Sequence, residues 1–161
     1  MKNQFEIRSA VEEDVSVIFN FIRELAVYEK LLEEVTASED LLRENLFTYK
    51  YAEVLLGELD SVPVGFALFF HNFSTFLGKS GIYLEDLFVK EEYRGRGFGK
   101  KILAHLAKLA VERDCGRLEW SVLDWNKTAI DFYLSMGAKP MEEWTMFRLT
   151  GGKLSDLARL N

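Results

Sequence analysis

The chain has 161 residues, 48% of them hydrophobic and 14% aromatic, enough to bury one full core and too apolar for a disordered segment. Its formal net charge of −6 argues against nucleic acid as the main partner, because binding a phosphate backbone needs a basic face. A single cysteine, Cys115, excludes an intrachain disulfide framework; no apolar run has the length of a membrane span, and Met1-Lys2-Asn3-Gln4 does not begin a signal peptide, so a cytoplasmic setting away from membranes is expected.

In chain order, Phe5 to Arg8 alternates apolar and charged residues, a short strand. Ser9 and Glu12 have the spacing of a capping box, and Val15, Ile18, Phe19, Ile22, Leu25 and Ala26 then repeat at three and four, predicting a helix to about Tyr28. After a loop, Ser38 is placed to cap a second helix carrying Leu41, Leu42, Leu46 and Phe47. Tyr51 to Glu58 and Pro63 to Phe70 read as a hairpin around Leu59-Asp60-Ser61, and the polar stretch from His71 to Ser80 as a loop. Gly81 to Val89 is apolar except at Glu85 and Asp86, the pattern of an interior strand. A glycine-rich turn leads to a helix with Ile102, Leu103, Leu106, Leu109 and Ala110 at core spacing. A strand from Arg117 to Val122 follows, then a loop at Asp124-Trp125-Asn126 and a helix from Thr128 to Met136, closed by Gly137 in the left-handed region. Ala138 to Met141 and Thr145 to Thr150 read as two last strands, and the tail from Gly151 as a short helix. No linker or repeat interrupts the chain, so residues 1–161 are expected to form a single domain. The order β-α-α-β-β-β-α-β-α-β-β predicts an α/β fold of the α+β mixed-sheet kind, with helices on both faces.

The most chemically pointed stretch is Arg94-Gly95-Arg96-Gly97-Phe98-Gly99, followed by Lys100 and Lys101. A strand that passes to a helix through a basic, glycine-rich turn is suited to bind an anion, because backbone N–H groups and the helix dipole point the same way. Two standard phosphate motifs do not fit. No G-x-x-x-x-G-K-[ST] can be written, and the G-x-G-x-G spacing behind antiparallel units is not the dinucleotide fingerprint. His71 and His105 have no companions at metal-ligand spacing, so no metal is expected. Cys115 at a helix end is more economically a small packing residue than a nucleophile.

Arg94-x-x-Gly97-x-Gly99 resembles the acetyl-CoA pyrophosphate loop of the GNAT superfamily of N-acetyltransferases, and the element order matches that fold. Glu24-Leu25-Ala26-x-Tyr28-Glu29, Gly65-Phe66-Ala67, Tyr83-Leu84-Glu85-Asp86-x-Phe88-Val89, Tyr93-Arg94-Gly95, Trp125-Asn126 and Phe132-Tyr133 resemble the diamine (spermidine/spermine) N-acetyltransferase family, which includes enzymes acting on thialysine. The resemblance spans Phe5 to Leu149 and implies an acetyl-CoA-dependent enzyme that acetylates a small cationic amine. It implies a pyrophosphate site at Arg94, Gly95, Arg96, Gly97, Phe98, Gly99 and Lys100. It further implies that the strand ending Leu87-Phe88-Val89 bulges from its neighbour, freeing N–H groups for the acetyl carbonyl and pantetheine, and that Asn126 contacts CoA.

An aliphatic ammonium with a pKa of roughly 10 must lose a proton before it attacks a thioester. Glu85 matches the family's acidic base and Tyr133 its general acid, which protonates the thiolate. Strand alternation is expected to send Glu85 and Asp86 to opposite faces, so that Glu85 alone faces the acetyl group. Glu29 matches an acidic residue of the amine channel, whereas Glu33, Glu34, Glu142 and Glu143 read as solvated surface. Phe76 stands where the polyamine enzymes carry Trp, and the following loop is one residue longer, a departure beside the acceptor site. The acceptor is therefore read as a polyamine or diamine, with thialysine or another lysine-like amino acid as the alternative. A non-catalytic acyl-CoA-binding module is the reading from a different class. The resemblance also implies a homodimer.

Overall fold

The computed structural model describes residues 3–161, so Met1 and Lys2 of the N-terminal reading lie outside the described residues. The chain forms two compact units, one ending at Leu123 and a second spanning Asp124–Asn161.

The first unit is a five-stranded sheet in the order β1-β2-β3-β4-β5. Its strands are β1 (Phe5–Ser9), β2 (Glu53–Leu59), β3 (Val62–Ser74), β4 (Lys79–Val89) and β5 (Leu118–Trp120). The first four pair antiparallel, and β5 lies parallel to β4 after the crossover helix α3 (Phe98–Glu112). The mixed sheet is thus the expected one. Helix α1 (Val15–Tyr28) lays Ile18, Phe21 and Leu25 on one face against Leu56, Phe66 and Phe88. On the other face Ile102 of α3 comes down over Gly57 and Gly65. A Cβ on Gly57 would sit 2.7 Å from the Phe5 ring and 3.2 Å from Ile102, so the small residue lets the helix approach the sheet.

Local chemistry explains most element boundaries. Asp60 and Ser61 both have positive φ, 50° and 70°, the handedness that a two-residue hairpin turn requires. Ser38 caps α2 (Glu39–Arg43), accepting the Leu41 N–H at 3.2 Å as expected; α2 runs on into a wider turn at Glu44–Thr48. The expected Ser9–Glu12 box is not the start of α1. Ser9 is committed to the sheet opposite Leu55, and Asp14 takes the capping role by accepting the Val11 N–H at 2.8 Å. Arg8 then binds Asp14 at 2.8 Å and Glu58 at 3.1 Å, joining β1, β2 and the entry to α1.

His71 to Ser80 is not a loop. β3 and β4 keep pairing as far as Ser74↔Lys79, and the turn closes through the Gly78 N–H on the Ser74 carbonyl. The polar residues that suggested a loop have cross-strand partners instead, such as the Asn72 amide on Glu119 at 3.0 Å.

The second unit contains α4 (Lys127–Ser135), ended by Gly137 at φ 88°, and α5 (Gly151–Ala158), both foreseen. The two last strands are not formed. Residues 139–150 are exposed, and the Trp144 N–H bonds back to Met141 in a local turn. Alternation gives only a tendency to extend; a strand needs a ladder partner, and these segments have none among the described residues. Among the described residues no helix is long and apolar enough to cross a membrane.

Candidate active site

The site is organised by a slip in the β3–β4 ladder. Phe69 pairs with Leu84, but Leu68 pairs with Asp86, so Glu85 is an extra residue with no partner on β3. This is a β-bulge. It overturns the expectation that Glu85 and Asp86 face opposite ways. Tyr83 pairs with Phe70 and their rings lie 5.3 Å apart; Asp86, opposite Leu68, shares that face, and Glu85, two residues beyond Tyr83, shares it too. Both carboxylates therefore lie on the α1 side of the sheet. Glu85 is exposed, while Asp86 is half-buried.

The electrostatics follow. Burial pushes the Asp86 carboxyl up from 3.8 to about 7, and the neighbouring charges of Glu85 and then Glu29 add to the effect. Glu29 is the residue at which α1 stops, its N–H still bonded to Leu25 at 2.9 Å; burial raises its carboxyl as well. A buried acid held near neutrality by two like charges is the arrangement that active sites use to hold and release protons at physiological pH.

On its other edge β4 is half open. The parallel ladder with β5 covers Ile82, Tyr83 and Leu84 and ends there, so from Asp86 to Val89 β4 has a paired strand on the β3 side alone among the described residues. Leu87, Phe88 and Val89 continue the ladder with Ala67, Phe66 and Gly65. Backbone groups on the open edge are thereby presented next to the two acids.

β4 then passes into the glycine turn. Gly95 and Gly97 have φ of 78° and 81°, and a Cβ on either would meet nothing within 4 Å. These glycines are required for backbone shape rather than for packing. Gly97 is the N-cap of α3; no side chain caps this end and no acidic residue lies in the first turn. Gly99 has an ordinary φ, and its Cβ would touch only Val89, at 3.9 Å. The protein itself gives no steric reason for a glycine there, which suits a ligand that approaches the backbone closely. The turn thus fits a pyrophosphate.

The basic residues of the turn differ in what they touch. Lys100 is exposed. Arg96 reaches Asn3 at 3.0 Å and lies over the Phe98 ring. Phe98 is buried and stacked on Phe5 at 4.2 Å, so its side chain belongs to the core and only its backbone remains for a ligand. Arg94 turns back toward β4 and α1, donating from Nε to the Val89 carbonyl at 2.8 Å. Its guanidinium lies 4.6 Å from the centre of the Tyr28 ring and 5.1 Å from that of Phe88. Sequence reasoning gave Tyr28 no role and made Arg94 a source of charge for the ligand; the contact pairs residues 66 positions apart, with no local signal to reveal it.

Tyr133 and Asn126 belong to the second unit. Asn126 is the N-cap of α4, its side-chain oxygen accepting the Ala129 N–H at 3.3 Å, and Tyr133 lies on that helix with its ring 5.6 Å from Phe132. No group of histidine, cysteine and acidic residues is placed to hold a metal ion among the described residues.

A helix start suited to an anion, fed by a half-open strand that carries an acid with a raised pKa, is the arrangement expected of an acyl-group transferase. The chain belongs to the acetyltransferase (GNAT) family, whose model matches residues 19–138. It is 42% identical over 164 residues to the thialysine N-epsilon-acetyltransferase of Bos taurus, covering 94% of this chain and 96% of that protein. It is 35% identical over 201 residues to the L-ornithine N5-acetyltransferase NATA1 of Arabidopsis thaliana, covering 96% and 88% respectively. Among solved structures, the integron cassette protein VCH_CASS6 from the mobile metagenome of V. cholerae superposes with a TM-score of 0.81 at 29% identity, covering 96% of this chain and 98% of that one. The chain is therefore an N-acetyltransferase, of a family that uses acetyl-CoA.

Proposed function

We propose that this enzyme, its whole chain acting as one GNAT domain, transfers acetyl from acetyl-CoA to the side-chain amine of a small lysine-like amino acid. The observation that carries the reading is the acid pair at the β4 bulge, Asp86 held near neutrality beside Glu85. An ammonium with a pKa of roughly 10 attacks only after losing a proton, and a carboxylate poised near the working pH is a suitable acceptor. Asp86, helped by the charge of Glu85, takes that proton. The amine lone pair then attacks the thioester carbonyl, the new C–N bond forms, the nitrogen releases its second proton to solvent and the C–S bond breaks. Tyr133 supplies the proton that the departing thiolate requires.

On the cofactor side, the backbone of Arg94 to Lys100 receives the pyrophosphate, and the open edge of Leu87 to Val89 offers N–H groups to the acetyl carbonyl and the pantetheine arm. Asn126 adds an amide to that binding. Glu29 sits with the two acids on the amine side, where negative charge favours a cationic substrate.

The choice of a lysine-like acceptor is supported by the two relatives named above, whose names specify thialysine and L-ornithine, each an amino acid with a terminal side-chain amine. A polyamine or diamine is the second reading, favoured by three carboxylates close enough to influence one another, a field that suits more than one positive charge. A homodimer in the cytoplasm is part of the proposal.

A kinetic screen with acetyl-CoA and thialysine, ornithine, putrescine, spermidine and spermine decides between these. The lysine-like reading predicts the highest kcat/KM for a substrate with an α-carboxylate, and a polyamine as best substrate would replace it. With either substrate, kcat/KM should rise with pH through about 7 as Asp86 deprotonates. Acetyl-CoA bound without turnover on any amine would refute the catalytic reading.

A further inference from the structure

Among the basic side chains of the turn, that of Arg94 turns back toward β4 and α1. Its Nε–H is used by the Val89 carbonyl, 2.8 Å away, at the end of β4. Its guanidinium lies over two aromatic rings from other elements, Tyr28 at the last residue of α1 and Phe88 on β4. Phe88 is buried on the α1 face two residues beyond Asp86, and Tyr28 immediately precedes Glu29. One side chain therefore joins the phosphate-binding turn to the two backbone segments that carry the acids.

We propose that Arg94 is a positioning residue, a strut that fixes the phosphate turn against the end of α1, so that the binding of acetyl-CoA and the placement of the amine-side acids are coupled through the Tyr28–Arg94–Phe88 stack. The proposal rests on the turn being the pyrophosphate site. The physical basis is that a turn with two left-handed glycines has many backbone states; a planar cation in contact with two rings and bonded to a carbonyl selects one of them. Any preference of the ligand for that state must, by linkage, also favour the arrangement of α1 that supplies Tyr28.

Tyr28 is the residue on which to test this, because it lies outside the turn and is 38% exposed, so its replacement leaves the buried core of α1 intact. The full chain is titrated calorimetrically with CoA for wild type, Tyr28→Leu, Tyr28→Phe, Arg94→Gln and the Tyr28→Leu/Arg94→Gln pair, with thermal midpoints recorded to confirm folding. A cation–ring contact at a partly exposed site corresponds to roughly a three- to tenfold change in affinity. Tyr28→Leu should weaken CoA binding by about that factor, Tyr28→Phe should restore it, and the pair should be no weaker than Arg94→Gln alone. In turnover with the best amine of the screen, Tyr28→Leu should also raise the amine KM more than it lowers kcat. CoA affinity unchanged in Tyr28→Leu, or losses that simply multiply in the pair, would overturn the strut while leaving the pyrophosphate assignment standing. Absence of CoA binding by the wild type would remove both.

Discussion

Replacing Asp86 by Asn should make the protein more stable at neutral pH while removing its activity. The carboxyl is raised from 3.8 to about 7 by burial and by the charges of Glu85 and Glu29. At about 1.4 kcal/mol per pH unit, that rise sets a ceiling of about 4 kcal/mol on the cost of ionising it in the folded state. Partial solvation of the bulge brings the expected gain in Asp86→Asn down to about 2 kcal/mol. The sign follows from proton binding. The native state holds this proton more tightly than the unfolded chain does, so its stabilising contribution is complete below pH 3.8 and is lost as pH climbs through about 7. Urea unfolding of both proteins at a series of pH values should therefore show nearly equal stability near about pH 4, a gap that widens toward about pH 7, and a constant gap above it. A gap independent of pH, or one that opens on acidification, would refute the argument. Turnover supplies the second half of the test. Asp86→Asn should lose most of its kcat at every pH, and a variant that kept the wild-type acid limb would show that another group sets it.

Gly97→Val should abolish tight CoA binding, because the valine is strained at φ 81°, by about 1–2 kcal/mol for the left-handed region alone, and its side chain enters the space at the helix start. Calorimetry with CoA reads this directly, and unchanged affinity would remove the turn from the site. Tyr133→Phe should lower kcat by a factor of about a hundred or more while sparing CoA affinity, the signature of a lost proton donor; a fully active variant would exclude the role. Arg8→Ala should cost about 1–3 kcal/mol in urea unfolding, since it leaves Asp14 and Glu58 without their shared partner. Arg8 holds the Asp14 carboxyl below its usual value, so that contribution is present above pH 3.8 and is lost on acidification below it.

The sheet, its helices and the glycine turn were legible because each leaves a local mark. Alternation marks β1, three-and-four spacing marks α1 and α3, and glycines at positions 95 and 97 mark a backbone that other residues resist. What could not be read depends on pairing between distant segments. A bulge in this strand was implied only by the family resemblance; its place at Glu85 is a property of register, set where Leu68 meets Asp86, and it reverses the inference from strand alternation. The continued hairpin from His71 to Ser80 was hidden because its polar residues suggested a loop, whereas the backbone keeps pairing with β4 and the Asn72 amide nitrogen finds Glu119. In the other direction, residues 138–150 carry a strand-like pattern without a ladder, which shows that alternation alone does not make a strand. Arg94 illustrates the same limit at the site, since its partners Tyr28 and Phe88 are brought to it only by the fold.

The early end of the β4–β5 ladder has a consequence for handling the protein. From Glu85 to Val89, β4 has no partner on its β5 side among the described residues, and the apolar Leu87-Phe88-Val89 makes up the end of that stretch. Such an edge is a template for any extended chain, and proteins normally blunt it with charge, proline or cover. Here the two acids guard only its beginning. A ligand lying along the edge would occupy the groups that another copy of the chain would otherwise pair with, and would also stabilise the native state by mass action. The opening that suits this strand to an acyl donor is thus also its point of exposure to self-association. Preparations held with CoA should remain dispersed longer on warming than those without it, as light scattering would record.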